Sequence, residues 1–451
     1  GISWTSPCFK KHTATAEKTD KGYQVTFDTE EKNGWFCDDG YLIATTQSFH
    51  IEYFEFTGHW HLKWSGDLPE ASQYDIEKNG FRIFRFTDDI HMTIVDVWET
   101  LQLFLGALVQ HEVPDWTAED NLKFLKDYMN VTFEERETDL VMIPEDQIQS
   151  GDFFGVLRMD GLDPMLAWGM GSHTGHTTIA LRMDGALHVC ESTTNSMYWP
   201  VNGVQCTPWA QWIKQAHAAD YNVVHLPLSP HFAQVFNETA AIDFFKSVNG
   251  LPYGFHNMLF GWIDTPEDNY PPPLTSHFAM ILFGLVDDII KLNDTIDIWA
   301  QALNHRLGTT GLSTRECYAE AGKRGIPFTE LVTIPEQDSW NYRSAKGVVG
   351  PAMVCDVFVM RMWKAAGIFG DIADEIQATE FTNWDAYSLN IFDGDYKRPE
   401  QCVKADPTSQ FCQIMGKYRL ALPGYNTVKP FPHMREKCPS LAPKYEKPPM
   451  C

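Results

Sequence analysis

The chain has 451 residues, 44% hydrophobic and 21% charged, and a formal net charge of -25. This is a globular composition rather than a disordered one, and at ~150 residues per domain it allows two or three structural units. The acidic balance excludes binding through phosphate backbones, which needs Lys and Arg, so no nucleic-acid partner is expected; it suits an extracellular or acidic compartment.

The chain opens at Gly1 with no charged-then-apolar leader, which is the expectation for a mature form whose signal peptide has been removed. From Gly22 to Trp64, β-branched and aromatic residues alternate with polar ones, as in Tyr41 to Thr46 and His50 to Phe56. This pattern predicts an antiparallel β-rich unit. Phe81 to Phe86 and His91 to Val97 continue it, and Leu101 to Leu108 reads as helix. The expected boundaries are an N-terminal β-rich accessory domain over 1–140, a catalytic domain over 141–372 and a loop-rich C-terminal extension over 373–451. His59 and His61 share one strand face, ordinarily just an exposed face, and Trp60, Trp64 and Trp98 are read first as core.

The middle region runs strand, His-bearing strand, Glu-bearing strand, helices, then a helix beginning near Cys355, an α+β arrangement. Gly175-His176-Thr177-Thr178-Ile179-Ala180-Leu181 and His188-Val189-Cys190-Glu191-Ser192 form a predicted hairpin about Met183-Asp184-Gly185. That pairing brings His176 and Glu191 within reach across the ladder, where a carboxylate orients the imidazole and stabilises its protonated form. His277 to Leu307 carries apolar residues at helical spacing; its longest apolar run, Ala279 to Val286, stops at Asp287 and Asp288. That is well short of a ~20-residue span, so no transmembrane anchor is expected. After Gly350-Pro351, an apolar helical pattern runs to Gly367, with Cys355 in its first turn. A helix N-terminus and an adjacent imidazolium both favour the thiolate.

Of the ten cysteines, Cys8 with Cys37, Cys190 with Cys206, Cys402 with Cys412 and Cys438 with Cys451 are candidate disulfides. Spacing does not fix connectivity. Cys317 and Cys355 are left over. Asn130, Asn237 and Asn293 head glycosylation sequons. With the cysteines they point to the secretory route, and the expected location is secreted or lysosomal/vacuolar.

At these segments the chain resembles the circularly permuted branch of the NlpC/P60 superfamily of papain-like cysteine hydrolases, the YiiX-like group related to lecithin retinol acyltransferase, in which the His strand precedes the Cys helix. The matching elements are Gly151-Asp152-Phe153-Phe154, Gly175 to Ala180, the Glu191 strand, Gly250-Leu251-Pro252-Tyr253-Gly254-Phe255, and Val354-Cys355 followed by Trp363-Lys364-Ala365-Ala366-Gly367-Ile368. They lie within residues 148 to 370. The resemblance implies an α+β permuted papain-like core with an antiparallel sheet and packed helices. It makes Cys355 the nucleophile, His176 the base and Glu191 the orienting residue. Asp356 stands where a small polar residue is more usual, and the long insert between Tyr253 and Cys355 has no counterpart in small members.

The expected activity is a thiol hydrolase, a peptidase or amidase, that cleaves peptide-like amides through an acyl-enzyme without a cofactor. Ester or lipid-amide substrates and acyl transfer come second. A secreted binding or structural protein that keeps the fold is the opposing reading, and a carbohydrate-active enzyme with paired carboxylates is a third. Tyr253 and His173 are the candidate substrate-binding residues, with packing at a turn and a place in a loop as their plainer roles. Cys317 is the rival nucleophile in charged, helical surroundings. His173 and His176 lack a completing ligand cluster, so no metal is expected, and no GxxxxGK, HExxH, EF-hand or GxSxG pattern occurs.

Overall fold

The computed structural model describes residues 1–86, 113–254, 280, 281, 284 and 298–430, apart from 36, 46, 47, 66, 67, 69, 195–197, 200, 333, 335 and 345. It is a mixed α+β structure with several antiparallel sheets. Internal contacts divide it into two units, Gly1–Leu101 with Leu274–Leu331, and Gln102–Pro273 with Val332–Cys451.

The first unit is β-rich, as its alternation predicts. Strands β1 (Ile2–Trp4), β2 (Phe9–Thr19), β3 (Gly22–Lys32) and β6 (Gly58–Ser65) form one sheet, in the order β1-β2-β3-β6, while β4 (Asp39–Ala44), β5 (Phe49–Phe54) and β7 (Arg82–Arg85) form another, in the order β5-β4-β7. Along β3, Tyr23, Val25 and Phe27 point inward and meet Tyr41 and Phe54 of the second sheet. Strand β2 escapes the sequence pattern because its Lys and Thr residues leave few inward apolar positions, among them Phe9 and Ala14. Helix α1 (Glu70–Asn79), also unforeseen, packs against a helix at Thr314–Lys323, and the Cys8–Cys37 disulfide ties the N-terminal strands. The helix expected over His277 to Leu307 is described at Ile298–Leu307; the remainder of it, apart from 280, 281 and 284, lies outside the described residues, as do His91 to Val97, Leu101 to Leu108, Trp98, Asn293 and the Cys438–Cys451 pair.

The second unit is built on a six-stranded antiparallel sheet. Its strands are β8 (Phe153–Leu157), β9 (His176–Met183), β10 (Ala186–Thr193), β11 (Gly203–Pro208), β12 (Asn222–Leu226) and, after two short strands at 342–343 and 349–350, β15 (Cys412–Met415), ordered β11-β10-β9-β8-β12-β15. The hairpin turn is where the sequence puts it: Asp184 and Gly185 both have positive φ, at 52° and 80°, which a two-residue turn of this hand requires. Period-two alternation gives the sheet two apolar faces. Phe153, Leu157, Ile179 and Leu181 meet the helix Cys355–Ala365, whereas Phe154, Val156, Ala180 and Val189 meet Trp209 and Trp212 of the helix Trp209–Ala218. The Cys190–Cys206 disulfide joins paired residues of β10 and β11, and Cys402–Cys412 fastens a helix to β15.

These units cut the chain differently from the expected boundaries at 140 and 372. Part of the long insert before Cys355 belongs with the N-terminal strands, because Tyr74 of α1 lies against Gly322 and Lys323 reaches Glu70. The segment after 373 is part of the second unit, since β15 pairs with β12. Hydrophobic period shows that an element is amphipathic and leaves open which core receives it.

Within the sheet unit, on either side of the insert, Gly254 donates its N–H to Met353 O at 2.9 Å. A Cβ on Gly254 would stand 2.2 Å from Met353 N. Gly254→Ala is therefore expected to lower stability by about 1–3 kcal/mol in chemical denaturation, as overpacking against backbone does. Asn130 and Asn237 are exposed, and Asn237 caps a helix by accepting the Ala240 N–H through Oδ1 at 3.1 Å, leaving Nδ2 for a glycan. On secreted protein, Asn130→Gln and Asn237→Gln should each remove one step of the mobility shift produced by glycosidase treatment.

Candidate active site

Cys355 is the first residue of the helix Cys355–Ala365, and Val354 is its N-cap with no side-chain cap bond. The thiol therefore sits at the positive end of the helix, where Asp356 rather than the N-cap residue engages a first-turn N–H, that of Val357. The approach is held by Ser192, which donates to Met353 O at 2.8 Å from the strand position next to Glu191. The helix is fixed from behind by Trp363, whose Nε1 donates to Gly151 O at 3.0 Å.

His176 opens β9, at the end of the sheet. Extending the pairing Cys190↔Ile179 by one step sets Glu191 level with Thr178, two residues from His176 on the same face. A long side chain spans that diagonal, and His176 Nε2 lies 2.7 Å from Glu191 Oε2. The other oxygen, Oε1, accepts the Trp212 Nε1–H at 3.0 Å. Glu191 is fully buried, with both oxygens engaged by fixed side chains. Because Nε2 is committed to the carboxylate, Nδ1 is the nitrogen left for the nearby sulfur of Cys355. Burial works against the charged ring, but the hydrogen bonds to Cys355 and Glu191 and their negative charge hold its pKa well above the ordinary value. Cys355, His176 and Glu191 thus come together.

Tyr253 joins them. Its segment is placed by Val204, which donates to Leu251 O, and by Gly250, which donates to Val204 O, each at 2.9 Å. Burial, then the negative charge of Cys355, Asp356 and Asp163, then a hydrogen bond to Cys355 push the phenol pKa well up, so its hydroxyl keeps its proton. His173 is elsewhere: it is buried against Phe133 with a backbone partner at Ala421, and burial pushes its pKa down to about 4. It does not line the cavity at Cys355. Cys317 is a buried thiol in Thr314–Lys323, with Leu312 O at 3.9 Å, and neither it nor Cys355 is in a disulfide.

Three neighbours were not singled out from sequence, and a fourth, Asp356, was noted only as unusual after the thiol. Trp212 is one of the three. Asn383, fully buried, donates through Nδ2 to Thr174 O at 3.0 Å and turns Oδ1 toward the Cys355 sulfur at 3.8 Å. It begins the helix Asn383–Ser388, closed by a capping box of Thr382 and Asp385. Asp163 meets the strand through Gly175, where a Cβ would lie 2.5 Å from Asp163 Cα, and it accepts the Arg158 N–H at 3.0 Å. Asp356 turns Oδ1 back to its neighbour's backbone, accepting the Val357 N–H at 2.9 Å. Burial raises both Asp163 and Asp356 to about 7, with Asp160 adding to the first and Asp385 to the second, against the opposing charge of His176. Only Asp356 carried a sequence signal, as an unusual residue after the thiol.

Among the described residues no group of three or more His, Cys, Asp or Glu side chains is arranged to hold a metal ion, and no helix is long and apolar enough to cross a membrane. His59 and His61 are exposed on β6, paired with Asp28 and Thr26.

The buried carboxyls give stability a pH dependence of definite sign. Unfolded Asp loses its proton near pH ~4, whereas folded Asp163 and Asp356 keep theirs to about 7. Between these values the unfolded state is increasingly favoured as pH rises. His176, raised in the folded state, contributes stability that is full below its ordinary value and lost as pH climbs through the folded one. Melting temperatures measured from pH 4 to 7 should fall with rising pH, and Asp356→Asn should make that slope shallower.

No family model matches this sequence, and neither a curated protein nor a solved structure matches the chain.

Proposed function

We propose that the chain is a thiol hydrolase of peptide-like amides, working through an acyl-enzyme on Cys355, on a circularly permuted papain-like (NlpC/P60) core. The observation that carries this reading is the chain of contacts from Trp212 through Glu191 and His176 to the first residue of a buried helix. A lone buried thiol needs no such support.

In the proposed cycle, Sγ attacks the carbonyl carbon as a thiolate paired with the His176 imidazolium. The amide C–N bond breaks as His176 delivers its proton to the departing amine, leaving a thioester. Water then gives a proton to His176 and its oxygen to the carbonyl carbon, releasing the acid and restoring the thiolate–imidazolium pair. The Cys355 backbone N–H at the helix start and the protonated Tyr253 hydroxyl are the donors suited to the oxyanion. Glu191 keeps the ring oriented and its positive charge compensated.

The opposing reading, a secreted binding or structural protein that retains the fold, has one observation in its favour. Cys355 is only 5% exposed. Three disulfides fit maturation in an oxidising compartment under either reading; secretion or delivery to a lysosome or vacuole is part of the proposal.

Alkylation of the native, unreduced protein from pH 5 to 8, followed by peptide mapping, separates the two. Selective modification of Cys355 well below the pH at which a free thiol reacts supports the enzyme, and an inert Cys355 in folded protein supports the binding role. With an amide substrate in hand, Cys355→Ala and His176→Ala should each lower turnover by roughly 10⁴-fold or more with little change in folding. Retained turnover in either variant would remove that residue from the mechanism.

A further inference from the structure

The surroundings of the Cys355 sulfur restrict what it can receive. It lies on a cavity of about 40 Å3 whose wall combines Leu166 and Met170 from the helix Leu162–Met170, the backbone of Gly169 and Gly175, and Phe381 and Tyr253. A water-sized group needs roughly 10–15 Å3 of such space, so there is room for about three non-hydrogen atoms beside the sulfur. The wall cannot easily retreat. Gly175 is pressed on the backbone of Asp163, and Val354 and Val357 are locked in the buried helix.

The charge of the wall is as selective as its size. Among the described residues no Lys or Arg lines the cavity, and the imidazole of His176 is already matched by Glu191. Among the described residues the other ionisable groups of the wall are acids, Asp356 and the phenol of Tyr253. Asp356 is in the wall, while Asp163 and Asp385 act on the charges there from behind. A carboxylate brought to this point would find no cationic partner among the described residues, and once these acids ionise, above about pH 7, it would face like charge in a setting where water screens weakly.

We infer that the acyl group delivered to Cys355 is small and uncharged, of about acetyl size, and that amides with an acidic or bulky group on the carbonyl side of the scissile bond are excluded. This rests on Cys355 being the nucleophile. Leu166, Met170 and Phe381 are then the residues that set acyl specificity by size, and Asp356 sets it by charge.

Three alkylating agents test this on the native full-length protein at pH 8: iodoacetamide, iodoacetate of the same size with a negative charge, and the bulkier N-benzyl iodoacetamide. In each case a bond forms from Sγ to the reagent carbon as iodide leaves. The extent of modification at Cys355 is read by peptide mass, and its rate is normalised to that of glutathione with the same reagent. Iodoacetamide should be favoured over both others by about tenfold or more, as expected for an unpaired like charge a few ångströms away and for a group larger than the cavity. Equal normalised rates would overturn the inference and leave the nucleophile in place. A Cys355 inert to all three reagents in folded protein would remove both. Met170→Ala should recover about tenfold for the benzyl reagent and nothing for iodoacetate; no recovery in a folded variant would take Met170 out of the size filter. The ratios on unaltered protein decide the matter even if that variant does not fold.

Discussion

Glu191 is a carboxylate with no contact with water, held in the middle of a sheet. A group of that kind persists in a folded protein when its oxygens are met by donors that are themselves fixed. One donor is Trp212, on a helix that packs over one face of the sheet; the other is His176, at the start of the neighbouring strand. Satisfying Glu191 therefore fixes three things together: the seat of the helix Trp209–Ala218, the register of the hairpin and the direction of the imidazole. The Cys355 helix lies on the opposite face, yet its first residue reaches the imidazole because His176 is where the strand begins. The end of a strand is open to both sides of a sheet, whereas its middle is not.

The same arrangement concentrates acid around one cation. Asp163, Asp356 and Glu191 interact with a single buried imidazole, and Asp385 acts on Asp356. Carboxyls that hold their protons to about 7 reduce the repulsion this would otherwise create. A site of this composition is most comfortable in mild acid. That fits the acidity of the whole chain, whose net charge is -25.

What was legible in the sequence is what local chemistry dictates. The Asp184-Gly185 turn and the alternation on either side predicted the hairpin, and the pattern after Gly350-Pro351 predicted a helix with Cys355 in its first turn. Three cysteine pairs at short separations matched disulfides. Trp212 and Asn383 were not legible as site residues, because each arrives through packing between segments far apart in the chain, and an ordinary Trp on an amphipathic helix carries no mark of the carboxylate it will meet. His173 shows the reverse error. Proximity in sequence to His176 suggested a place in the site, but three residues are enough for the chain to turn it into the core beside Phe133.

The chain leaves the sheet unit after Pro273 and regains it at Val332, and on either side of that excursion Gly254 and Met353 are joined by a backbone hydrogen bond. Much of what lies between, Leu274–Leu331, completes the other unit. During synthesis, then, neither unit is finished when its first half emerges from the ribosome: the N-terminal strands wait for helices encoded some two hundred residues later, and the hairpin bearing His176 in turn waits for the helix bearing Cys355. Domains usually fold in turn from the N-terminus. Here the order of synthesis interleaves the two, and the half-made sheet must keep its apolar faces from straying until the second passage of the chain covers them.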